Sequence, residues 1–166
     1  MSAQAEKAPT TTYKELEPAN VNVRMKISAL WTTVLFIFAY VDIFSLYRAD
    51  FRADIEAGVM GPFTINQAIL LGVTVYVLIP SLMVFGTLVL SPRVNRIVNI
   101  ALGTVYVLTV AVGAMGEWNY YVLGSAIEVV LLAAIVYYAW TWPKLGSPVS
   151  ATGRDTTSEH IQPAVL

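Results

Sequence analysis

Two carboxylates stand inside otherwise apolar stretches of this 166-residue chain: Asp42, in a run from Ile27 to Tyr47, and Glu128, in a run from Tyr120 to Trp142. A carboxylate in hydrocarbon is costly unless it is paired, hydrated or protonated. No cation lies at the depth of either acid; only Arg48 and Arg52, just beyond the first stretch, could reach down to one of them. Two such acids brought together make a site for a proton, a cation or a small amphipathic ligand. Tyr76, Tyr106, Asn66 and Gln67 are the candidate hydrogen-bond partners. A second reading stays open beside this one. Asp42 could be wetted near the end of its stretch, capping the next helix or pairing with Arg48, and Glu128 could be a structural hydrogen bonder to Tyr106 or Asn66. Both acids would then serve folding alone.

Other chemistry is poorly represented. With no cysteine there is no disulfide, thiolate metal site or cysteine nucleophile, and the single histidine, His160, rules out a multi-histidine metal site. Neither a Gly-rich phosphate loop nor a Gly-x-Ser-x-Gly turn occurs. No cofactor or metal is expected, and an enzyme is the reading with least support. A net charge of −1 offers no basic excess for nucleic acid.

The elements that must position the acids are four apolar stretches, expected as helices over 27–47, 65–90, 93–114 and 120–142. A helix rising about 1.5 Å per residue needs about 20 residues to cross about 30 Å of hydrocarbon. Each stretch is near that length. The whole chain is 57% hydrophobic and only 13% charged, against about 25% charged in a soluble domain; nothing polar is left to wrap four buried helices. The expected fold is therefore all-α, an integral membrane four-helix bundle in the lipid bilayer. Residues 1–23 and 143–166, rich in Pro, Ser and Thr, are expected as flexible tails.

Local signals set the ends. Thr64 followed by Gln67 is a capping-box pattern for the second helix, and Ser91-Pro92 supplies an N-cap and a first-turn proline for the third. Pro80 predicts a kink within the second span. Between spans one and two, Asp50 can cap residues 51–57 and Gly58 can end them, with Phe51, Ile55 and Val59 at helical spacing. A short interfacial helix is expected there.

By helical rise, Asp42 lies about 22 Å above Ile27, Glu128 about 18 Å above Trp140, Tyr106 about 20 Å above Arg93 and Tyr76 about 21 Å above Leu90. All four reach one layer. Polar and small residues form a stripe on each helix: Asn95, Asn99, Tyr106, Thr109 and Gly113 on the third, Gln67, Thr74 and Ser81 on the second, Tyr121, Gly124, Ser125 and Glu128 on the fourth, and Ala39, Asp42 and Ser45 on the first. Such stripes belong at helix contacts in lipid. Eight cations, including Arg93 and Arg96 at the cytoplasmic headgroups, fall on the side of the termini, against Arg48 and Arg52 on the other. The positive-inside rule then puts both termini in the cytoplasm. No two glycines are four apart, so the sequence neither supports nor excludes an oligomer or a partner subunit.

Several runs carry a resemblance. Lys26-Ile27-Ser28-Ala29-Leu30-Trp31, Tyr40-Val41-Asp42-Ile43, Ile79-Pro80, Arg93-Val94-Asn95-Arg96 with Asn99-Ile100, Ala126-Ile127-Glu128 and Tyr138-Ala139-Trp140-Thr141-Trp142 together resemble a family of small bacterial membrane proteins. That family is a domain of unknown function with four predicted spans, similar in general shape to DoxX-type proteins. The resemblance covers residues 24–142 and implies the fold and a bacterial inner-membrane location. It points to Asp42 and Glu128, and to Arg93, Arg96 and Asn99 as residues of the cytoplasmic interface, and implies no activity. The family pattern often has an acid shortly before the second-span proline; this chain has Leu78 there. The sequence thus supports two functions: a membrane protein binding or transporting a proton, cation or small amphipathic ligand, or a non-catalytic scaffold or accessory subunit.

Overall fold

The computed structural model describes residues 21–142, so the expected tails and His160 lie almost wholly outside the described residues. Five helices and one short hairpin follow in order: α1 (Val23–Ser45), α2 (Ala49–Glu56), β1 (Val59–Met60), β2 (Phe63–Thr64), α3 (Gln67–Val89), α4 (Pro92–Gly113) and α5 (Asn119–Trp140). Four of the helices are 22 or 23 residues long and apolar enough to cross a membrane. Only 11–33% of their apolar windows is buried inside the protein. That much apolar surface on the outside is stable only in lipid. The chain is a multi-pass membrane protein with an all-α fold.

Caps explain where the ends differ from expectation. Asn22 accepts a hydrogen bond from the Arg24 amide at 2.9 Å, which starts α1 four residues earlier than its apolar run. At α3 the cap is Asn66, accepting from the Ile69 amide at 3.0 Å, and not a capping box on Thr64, which is held in β2. Asp50 lies within the first turn of α2 instead of capping it; its carboxylate is drawn to Arg48. Pro92 opens α4 as expected, although Ser91 makes no side-chain cap. The β1–β2 hairpin pairs Val59 with Thr64 and Met60 with Phe63. Its two-residue turn, Gly61-Pro62, needs the positive φ of +56° that glycine allows.

α1 packs against both α3 and α5, and α4 packs mainly on α5; α3 and α4, though joined by a two-residue link, touch little. The interior is dense toward the end that carries the termini, where Ile27, Trp31, Val34, Leu132 and Ile135 are fully buried. Toward the α2 end the bundle is loose. Residues 70–75 of α3 are all exposed, and a Cβ added at Gly72 would meet nothing.

Two glycines set the helix spacing on the tight sides. A Cβ at Gly124 would come within 2.5 Å of Val41, and one at Gly103 within 2.8 Å of Val136. Close approach of helix backbones is what small residues provide in lipid. Gly124→Ala should lower stability in detergent by about 1–2 kcal/mol through overpacking. Val41→Ala in the same chain should recover most of that loss, as read by thermal melting; no recovery would place the clash elsewhere.

Candidate functional site

Pro80 lacks an N–H, so the Tyr76 carbonyl four residues earlier has no helical donor. A bare carbonyl at membrane depth is expensive. Tyr106 of α4 fills the gap: its hydroxyl donates to the Tyr76 carbonyl oxygen. The Tyr106 ring, only 2% exposed, stands edge-on to Trp31 with centroids 5.9 Å apart. Tyr76 in turn lies 4.7 Å from Tyr106 and 6.0 Å from Phe38, ring to ring, and its hydroxyl shares a 2.7 Å hydrogen bond with Thr109. α3 and α4 are thus joined at the proline even though they part above it.

Below this layer a buried amide network closes the interior. Trp31 Nε1 donates to Asn99 Oδ1 at 2.7 Å. Asn99 Nδ2 donates to the carbonyl and side-chain oxygens of Asn95 at 2.8 and 2.5 Å, and Asn95 Nδ2 donates to the Thr87 carbonyl at 2.5 Å. α1, α3 and α4 are tied through groups with no access to solvent.

The acids sit above. Glu128 is 3% exposed, and it makes no hydrogen bond or ion pair with any described residue. Asp42 is exposed, on the loose side of the bundle. The two carboxylates lie within electrostatic reach of each other, and Tyr76 and Tyr121 lie within reach of both. The Tyr121 hydroxyl faces Gly113, 4.0 Å from where a Cβ would stand. Asp42 from α1, Tyr76 from α3 and Tyr121 with Glu128 from α5 therefore lie within electrostatic reach of one another, with Gly113 of α4 facing Tyr121, whereas Tyr106 is turned to the proline gap.

Other candidates fall differently. The Tyr76 and Tyr106 hydroxyls go to Thr109 and to the proline gap, not to a carboxylate. Asn66 and Gln67 are exposed at the start of α3, and Asn66 is occupied as its cap. Arg93 is exposed, and the Arg96 guanidinium lies 5.9 Å from the Trp140 ring centre at the end of the bundle. Asn99 is not at that surface; it is wholly buried because Trp31 and Asn95 satisfy its amide. The Gln67, Thr74 and Ser81 stripe also faces outward, since Thr74 and Ser81 bond back to the carbonyls of Leu70 and Val77 at 2.8 Å each. Among the described residues no three acid or histidine side chains gather as a metal site.

One cluster escaped the sequence reading. Arg48 pairs with Asp50 at 2.7 Å and with Glu117, in the α4–α5 loop, at 2.6 Å, and its guanidinium lies 4.5 Å from the Trp118 ring centre. The hydrogen bond from Arg48 holds the Asp50 carboxyl below its ordinary range. A carboxyl depressed on folding contributes above its unfolded value, about 3.9, and loses that contribution as pH falls through the folded one. The protection of α2 amides, taken relative to their intrinsic exchange rates at each pH, should therefore fall on acidification below about pH 4, and Asp50→Asn should remove that pH dependence.

Neither a curated protein nor a solved structure matches the chain. The model of a family of unknown function (DUF6326) matches residues 17–147, from ahead of α1 to beyond α5, and the chain therefore belongs to that family.

Proposed function

We propose that this protein binds a proton or a small cation at Glu128, with Asp42 as the second acid through which the ion arrives from the α2 side. The carrying observation is a glutamate that is 3% exposed as a residue and whose carboxyl has no hydrogen-bond or ion-pair partner among the described residues. A carboxylate so placed is costly unless it is hydrated, protonated or paired with a cation, and no described residue supplies that cation. Asp42 is exposed on the loose side of the bundle and within reach of Glu128, which gives an approach. Trp31, Asn95 and Asn99 close the opposite side. The site is thus reached from the α2 end and closed toward the end that carries the termini.

The membrane is the bacterial inner membrane, with the termini in the cytoplasm. Charge supports this orientation: Arg24, Lys26, Arg93 and Arg96 lie at the termini end, whereas Arg48 and Arg52 stand among Asp50, Asp54, Glu56 and Glu117.

Infrared titration of the full chain in liposomes tests the reading. Among the carbonyl bands of protonated carboxyls that grow as pH falls, one component should be displaced by a competing cation and should be missing in Glu128→Gln. If Glu128→Gln leaves the titration unchanged and alters only melting, the acid serves folding and the protein is a scaffold or accessory subunit.

A further inference from the structure

A second feature lies on the outside of the bundle, separated from the acid layer by the contact of Val41 with Gly124. There, Phe36, Ile37 and Phe44 of α1 face Leu123 and Ile127 of α5 across an almost wholly apolar groove of about 360 Å³, floored by Gly124. Phe44 and Tyr120 also line a second pocket of about 390 Å³, whose other walls are Tyr47, Arg48, Ala49 and Trp118. The two form one track, apolar along the span and charged where it meets the boundary. That succession along the membrane normal is the profile of a lipid: chain inside, headgroup outside. A helix of a second copy would be apolar along its length and would leave the charged pocket unmatched.

The charged end selects among lipids. Arg48 donates to Asp50 from two of its nitrogens and to Glu117 from a third. A guanidinium has five N–H donors, so some remain for a phosphate. Only one oxygen of Glu117 is engaged among the described residues, and the other is free to accept from an ammonium. With two carboxylates around one guanidinium the cluster is net negative. A headgroup that is itself net negative is repelled, and a quaternary ammonium has no N–H to give the free oxygen.

We propose that this track holds one phospholipid from the leaflet at the α2 end, with an acyl chain in the α1–α5 groove and a zwitterionic primary-amine headgroup on Arg48 and Glu117. The phosphate takes the remaining Arg48 donors and the ammonium the free Glu117 oxygen. This stands apart from the Glu128 reading and survives its failure.

Native mass spectrometry on the full chain released from nanodiscs of equimolar phosphatidylethanolamine and phosphatidylglycerol, with matched chains, tests it. One retained phosphatidylethanolamine is expected, enriched at least about fivefold over phosphatidylglycerol. Leu123→Trp, at a groove wall position 64% exposed, should fill the groove and remove the retained lipid while the chain stays folded. Glu117→Gln should leave a lipid bound but cut the enrichment below about twofold, because Arg48 then carries less compensated charge. Adducts in the bulk ratio, adducts unchanged by Leu123→Trp, preference for phosphatidylglycerol in the natural chain, or a lipid-free dimer seated on this face would each overturn the proposal.

Discussion

Replacing Asn99 with Leu should lower the unfolding free energy by about 2–4 kcal/mol, although the two side chains have the same branching and the same number of heavy atoms. Two groups lose their partners together: the Trp31 indole N–H, bonded to Asn99 Oδ1 at 2.7 Å, and the Asn95 side-chain oxygen, bonded to Asn99 Nδ2 at 2.5 Å. Each orphaned buried group costs about 1–3 kcal/mol, and neither has water to turn to, since Trp31, Asn95 and Asn99 are fully buried. Individual hydrogen bonds between membrane helices are weaker, averaging about 0.6 kcal/mol. The larger figure follows because Asn99→Leu strands partners instead of removing both sides of a bond. Trp31→Phe is the control. In the Asn99→Leu chain it removes the stranded donor, so the double variant should lose less than the sum of the singles. Denaturant titration in mixed micelles reads both quantities. A loss below about 0.5 kcal/mol for Asn99→Leu would mean the network adds only what typical exposed sites do.

Much of this architecture is legible in the sequence because lipid imposes such narrow demands. Length and lack of charge mark the four spans, and the stripe Asn95, Asn99, Tyr106 on α4 finds the interior because an amide in hydrocarbon has no partner except another helix. Hydroxyls are a poorer guide. Thr74 and Ser81 satisfy themselves on carbonyls of their own helix, so their spacing marks no buried face. Helical rise gives Asp42, Tyr76, Tyr106 and Glu128 similar expected depths, but which hydroxyls go to which acceptors does not follow from it. That depends on Tyr106 being taken by the gap that Pro80 leaves. Arg48 and Glu117 are 69 residues apart, and no local pattern joins them. The short helix expected between the first two spans is α2, and the hairpin after it has its signal in the Gly61-Pro62 pair, a turn dipeptide. What the runs of the resemblance share is also visible in three dimensions: Trp31, Pro80, Asn95 and Asn99 all hold the tight half together, and Trp140 and Trp142 carry Arg96 and Arg24 on their faces.

That tight half ends at the proline, and the most discriminating expectation concerns it. Tyr106→Phe should cost about 2–3 kcal/mol, because the Tyr76 carbonyl then has no donor at membrane depth. The ring, its edge-on contact with Trp31 and its packing on Tyr76 are all retained in phenylalanine. In a Pro80→Ala background the result should differ. Alanine restores the N–H at position 80, the helix supplies the Tyr76 carbonyl with its own donor, and Tyr106→Phe should cost less than about 1 kcal/mol. The difference between the two backgrounds, about 1–2 kcal/mol, is the strength with which one hydroxyl on α4 stands in for one missing amide on α3. Equal costs in both backgrounds would show that Tyr106 acts through packing alone, and would remove the reason that α3 and α4, so loosely joined elsewhere, meet at this level.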